Sequence, residues 1–157
     1  MEITLGNSSL VIATLVLGVI FIAGVRERVV NIPQWFANPP ASFELIRKQA
    51  PAAARFWIPV QIIFLVALVL AFITNWKHHD VRLMMFFGTA AFLLVIVLTA
   101  AFYVKEVMAF SKMPVDAPLT EDLLKRANTW FRTTIIRNII QGLALVFFII
   151  AVIKQFK

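Results

Sequence analysis

Two apolar runs, Phe56–Trp76 (FWIPVQIIFLVALVLAFITNW) and Leu83–Val104 (LMMFFGTAAFLLVIVLTAAFYV), stand with only a short polar link around His78–Arg82 between them. Each holds the ~20 mostly apolar residues that a helix needs to cross roughly 30 Å of hydrocarbon. A link this short forces the second run back alongside the first, so the pair predicts a transmembrane helical hairpin. Working outward, Leu10–Val25 and Thr133–Ile153 have the same character. Four spans, about residues 8–26, 55–76, 82–104 and 133–153, fill most of the 157-residue chain. The predicted fold is all-α: one transmembrane domain over residues 1–157, an antiparallel four-helix bundle of a polytopic membrane protein.

Composition agrees. Hydrophobic residues make up 61% of the chain and mean hydropathy is +0.88, above what a soluble domain carries. Cysteine is absent, which excludes disulfides and Cys-ligated zinc or iron–sulfur centres. The net charge is +7, but the basic residues flank apolar spans, as topology signals and lipid anchors do, so no nucleic-acid partner is expected. Met1–Ser9 contains no Lys or Arg and carries Glu2, the wrong sign for a signal peptide, so span 1 is expected to be retained.

The links between spans carry the remaining signals. Loop 1 is rich in Pro and aromatics, and Pro39-Pro40 forbids a continuous helix through it. A short helix over Phe43–Gln49, capped by Ser42, is expected to lie in the interface with Trp35 and Phe36. In loop 3, Thr120 followed by Glu121 and Asp122 marks a helix start. That helix continues into span 4, from about 121 to 153. Lys and Arg number eleven around loops 1 and 3 against four on the other side. This predicts loops 1 and 3 in the cytoplasm and both termini outside, in a setting expected to be a bacterial inner membrane.

Alternating direction brings one end of every span to the same face. Arg26, Glu27, Asn31, Trp35, Gln61, Tyr103, Glu106, Trp130, Arg132, Arg137, Asn138 and Gln141 all come from that end. Arg137 is the sharpest case. Counted back from Lys154, ~20 residues of hydrocarbon reach Thr134, which leaves Arg137 inside, with Gln141 on the same helical face. A charge there must snorkel or pair, and Glu27 and Glu106 are the available partners. The candidate catalytic set is Arg137, Glu27 and Glu106: an electrostatic anchor with a carboxylate for proton transfer. The others are candidate ligand contacts. His78-His79-Asp80 reads as a polar turn, since a metal site needs three or four converging ligands, so no metal or cofactor is expected. Trp35, Trp57, Trp76 and Trp130 read as an interfacial aromatic belt.

Length, four spans, a Pro-containing first loop and the segment Trp130-Phe131-Arg132-Thr133-Thr134-Ile135-Ile136-Arg137 together resemble the anthrone oxygenase-like family of small four-span membrane proteins. The family's Pro-Leu-Asn before that segment is Pro118-Leu119-Thr120 here. The resemblance implies functional roles for Trp130, Arg132 and Arg137 and a cofactor-independent oxygenase-type activity on a hydrophobic aromatic. The residues alone leave two classes open. One is a small membrane enzyme acting on a lipophilic aromatic, quinone-like or lipid-like molecule in a polar pocket lidded by Ile32–Phe43. The other is a non-catalytic accessory or scaffold subunit, partnered by a second copy or by another membrane protein. A transporter or channel fits less well, because no span is broken near its midplane.

Overall fold

A computed structural model of the chain describes residues 5–157; Met1–Thr4, and with them Glu2, lie outside the described residues. Four helices are long and apolar enough to cross a membrane: α1 (Leu5–Trp35), α2 (Phe43–Thr74), α3 (His79–Ser111) and α4 (Glu121–Gln155). The chain is a multi-pass integral membrane protein, an all-helical four-helix bundle. The helices have 31, 32, 33 and 35 residues. At 1.5 Å per residue each is about 46–52 Å long, well beyond ~30 Å of hydrocarbon. The spans inferred from hydropathy are therefore the apolar parts of longer helices, all projecting at the loop-1/loop-3 end.

The extra length is built as the sequence allows. Phe43–Gln49 is helical as expected, but it forms the first turns of α2 rather than a separate element, and the helix runs on through Pro51 and Pro59. Ser42 does not cap it. The Ser42 hydroxyl donates to the Trp35 carbonyl (2.8 Å) and accepts from the Asn38 N–H (3.2 Å), which fastens the connector instead. Thr120 does cap α4, accepting from the Leu123 N–H at 3.2 Å.

Packing follows seams of alternating three- and four-residue steps, the pattern of left-handed bundles. On α1 the seam is Leu10, Ala13, Leu17, Ile20 and Gly24; on α3 it is Val81, Met85, Gly88, Phe92 and Val95. α1 lies beside both α2 and α4, and α3 beside α4. α2 and α3 meet through rings, Phe64–Phe92 at 4.5 Å and Phe72–Phe86 at 5.0 Å between centroids. The α3–α4 crossing requires glycine: a Cβ on Gly88 would stand 2.7 Å from the buried Phe148 ring and 3.2 Å from the Ala144 carbonyl. The outward faces carry Leu15, Ile22, Ile62, Val66, Val97, Ile139 and Val146, all exposed, as lipid contact demands.

Two apolar cores are stacked along the bundle. The larger holds Leu17, Phe64, Met85, Phe92 and Phe148 at its centre. The second, at the loop-1/loop-3 end, holds Ile32, Trp35, Phe43, Ile46, Phe110, Leu123 and Trp130. This corrects the reading of the tryptophans. Trp35 and Trp130 are 7% and 3% exposed, their rings 6.2 Å apart, so they are core residues and not headgroup anchors. Phe43, fully buried, likewise points into this core and not into the interface. Helices that overshoot the bilayer leave apolar faces which water would otherwise wet, and these rings cover one another there. Trp76 remains exposed, and Trp57 is half-buried.

Candidate functional site

Between the two cores lies a polar layer, and two π-helical turns produce it: Glu27–Asn31 in α1 and Thr99–Val104 in α3. Such turns add one residue and occur often at functional sites. Two regular turns beyond Gly24 the α1 seam would reach Asn31. With the added residue Ile32 is buried instead, and Asn31 swings to the side. On α3 the regular seam would place Phe102 and Ala109 inward; after its π turn Tyr103 and Phe110 are the buried residues.

The layer centres on Arg137, whose guanidinium Nη2 is 3.7 Å from the Glu27 carboxylate; the two side chains are 13% and 16% exposed. The same guanidinium lies 5.2 Å over the Tyr103 ring, a favourable contact with the ring's negative face. Tyr103 is fixed at both ends: its hydroxyl donates to the Thr133 carbonyl (2.6 Å), and its own carbonyl accepts from the Trp130 indole (3.0 Å). Arg28, one residue beyond Glu27, donates to the Phe131 carbonyl (2.6 Å) and to the Thr134 hydroxyl, and stacks over Phe131 at 4.9 Å. Helices α1, α3 and α4 are thus cross-braced at one level.

One turn deeper, Asn138 and Gln141 are buried against Gly24. Asn138 donates weakly to the Gly24 carbonyl at 3.4 Å, and its Oδ1 is buried without a partner. A side chain at position 24 would stand 3.2 Å from the Gln141 Oε1, so glycine permits this approach of α1 to α4.

Glu27 also faces outward, toward α2. Between Ile46 and Phe64 the α2 seam is only half-buried, and small side chains leave a cleft of about 380 Å³ there. Arg26, Glu27, Asn31 and Trp35 line it from α1; Gln49, Ala52, Ala53, Phe56 and Trp57 line it from α2. Trp57 stands beside the Glu27 carboxylate, and the Trp35 indole donates to Gln49 at 2.8 Å. A second cleft of about 480 Å³ lies between loop 1 and α4, lined by Pro33, Phe36, Pro39, Leu124, Asn128 and Phe131 among others. The segment Ile32–Phe43 therefore stands between two clefts rather than closing over one.

The structure gathers part of the predicted set. Arg26, Glu27, Asn31 and Trp35 share the first cleft, with Arg137 and Tyr103 directly behind Glu27. Asn138 and Gln141 lie below. Glu106 is elsewhere: it accepts two hydrogen bonds from Arg126, at 3.0 and 3.1 Å, so Glu27 is the carboxylate that Arg137 faces. Trp130 supports the site from the second core. Arg132 is exposed and Gln61 half-buried, neither with a hydrogen bond or ion pair among the described residues. Sequence reasoning missed Arg28, Gln49, Ala53 and Trp57. The missed signal was the one-residue slip in the α1 and α3 seams, which marks where each helix changes the face it turns to the bundle. Comparison of the chain with protein-family models, with curated proteins and with solved structures finds no match.

Proposed function

We propose that the chain takes a lipophilic, oxygen-bearing small molecule into the cleft between α1 and α2 and acts on it with Glu27 as the acid–base group and Arg137 as the fixed positive charge. One observation carries the reading: the Glu27 carboxylate, paired from behind with the largely buried Arg137, lines a cleft whose apolar walls are indoles, a phenyl ring and alanines. Burying such a pair costs desolvation that well-packed apolar residues would avoid, and intramembrane ionisable groups mark functional sites by default. Flat aromatic walls suit a planar aromatic or quinone-like body, and Asn31 and Gln49 supply polar contacts at the rim. In this reading Glu27 accepts a proton from the bound molecule, and the negative charge left behind faces the guanidiniums of Arg26 and Arg137. The oxygenase-type activity implied by the family resemblance is compatible with such a step. In this geometry Trp130 supports the wall, and Arg132 has no part in it.

Native mass spectrometry of the detergent-purified chain, with release and identification of bound molecules, tests this. One lipophilic molecule per chain is expected, and none in Ala53→Phe, which fills the cleft from α2. An empty oligomer, or a protein partner in fixed ratio, would replace this proposal with the accessory-subunit reading.

We also propose that loops 1 and 3 face the cytoplasm, on the strength of the Lys and Arg distribution. Because the chain has no cysteine, single replacements report directly. In intact cells an impermeant maleimide is expected to label Lys157→Cys and to leave Ala37→Cys unlabelled; the opposite pattern reverses the orientation.

A further inference from the structure

The cleft sits at a particular depth. Counting ~20 residues of hydrocarbon from the far ends of the helices places the near boundary at about Arg26 on α1, Phe56 on α2 and Thr134 on α4. Ala23, Phe56 and Trp57 thus line its membrane side, and Asn31, Trp35 and Gln49 its aqueous side. It opens between two helices, beside the exposed apolar side chains of Ile22, Val25 and Phe56, so its mouth faces the leaflet.

The charges at this mouth do not balance. Arg26 and Glu27 are the charged side chains that line the cleft, and Arg137, with Arg28 near it, lies behind Glu27. Arg137 is engaged by Glu27, and Arg28 by the backbone and hydroxyl of α4. Arg26 is exposed, lines the cleft, and makes no hydrogen bond or ion pair among the described residues. A guanidinium stays charged at any ordinary pH and matches carboxylate and phosphate oxygens with paired donors.

Resting on the cleft as the binding site, we infer that its occupant is an anionic amphiphile, the head held by Arg26 and the chain left in the leaflet between α1 and α2. Exposed apolar side chains below and an unengaged guanidinium above specify both halves of such a molecule. A lipophile with no oxygen that is anionic, either before or after a proton passes to Glu27, leaves the Arg26 charge unanswered. A short anion forgoes the apolar flank, whose contribution grows with each methylene buried.

The test uses the full chain in neutral detergent and reads tryptophan fluorescence, since Trp35 and Trp57 line the site. The probes are dodecanoate, dodecyl phosphate, dodecanol and butyrate. Both long anions are expected to bind at least about tenfold more tightly than dodecanol, and butyrate not to compete. Arg26→Gln is expected to remove that preference without altering dodecanol binding, and Arg132→Gln to change nothing. Preference for dodecyl phosphate over dodecanoate would point to a lipid phosphate as the natural head, and the reverse to a free carboxylate. Equal binding of dodecanol and dodecanoate, or an unchanged preference in Arg26→Gln, overturns the anionic assignment and leaves the cleft standing if Ala53→Phe still abolishes binding. Competition by butyrate overturns the role of the chain. Binding that survives Ala53→Phe overturns the cleft reading itself.

Discussion

Arg137→Ala is expected to destabilise the protein by about 3 kcal/mol, because it strands the Glu27 carboxylate in a site with little water. Breaking one half of a buried ion pair typically costs ~3–5 kcal/mol, against about 0–1 kcal/mol for an exposed pair. The lower end applies here. The 3.7 Å contact is longer than the ~2.7–2.9 Å of a good charge-assisted hydrogen bond, so the pair is held by charge more than by geometry. The Tyr103 ring beneath the guanidinium adds roughly 0.5–2 kcal/mol that alanine also forfeits. If stranding is the cause, Glu27→Gln in the Arg137→Ala background recovers most of the loss, because an amide is far cheaper to leave dry than a carboxylate. A double-mutant cycle by denaturant titration of the purified chain measures this. Additive losses, each below about 1 kcal/mol, would mean that the two side chains reach water independently and do not form the wall of a site. Arg137→Ala is therefore a poor functional probe: it confounds folding with binding, which Ala53→Phe and Arg26→Gln avoid.

Trp130→Ala should have an effect as large and differently placed. Truncating a buried Trp or Phe to Ala costs about 3–5 kcal/mol, and Trp130 touches Trp35, Phe36 and Tyr103 while donating to the Tyr103 carbonyl. The loss falls on the second core, where Trp130 meets the rings of Trp35, Phe36 and Tyr103. Local opening there is expected before the transmembrane core yields. Trypsin should then cut at Arg47, Lys48 or Lys112 under conditions where the parent chain resists, while the fragments remain associated in detergent. Trp130→Phe keeps the ring contacts and loses only the N–H bond, a change of about 1 kcal/mol. If Trp130 were a headgroup anchor, neither substitution would alter protease resistance in detergent.

Hydropathy and link length made the four helices, their alternation and the tight α2–α3 turn legible in the sequence. The capped start of α4 at Thr120 was equally plain, because a cap is a local signal. The pairing of Glu27 with Arg137 stood among the alternatives, since both lie at the same end of the bundle. The fate of Glu106 was not legible. Its choice of Arg126 over Arg137 depends on α3 continuing as helix to Ser111, and hydropathy falls silent at Val104. The second core was hidden for the same reason. Aromatics outside the apolar spans look like interface anchors, and only their mutual packing shows otherwise.

An ordinary helix is a single gear. Whatever turns its face at one level turns it at every level, so a change in the transmembrane seam would be felt by Ile32 and Trp35. The π-helical turns in α1 and α3 act as clutches. Each shifts the angular phase of the residues beyond it by about 100°, the rotation of one residue, so the two cores obey separate registers along the same rods. The residues that meet lipid and those that frame the cleft can then diverge independently. Loss of a single residue from Glu27–Asn31 would remove the added residue and let a regular helix carry Ile32 and Trp35 into the second core, whereas winding the same residues as regular α-helix would turn Trp35 off it while Leu10–Gly24 stayed in place.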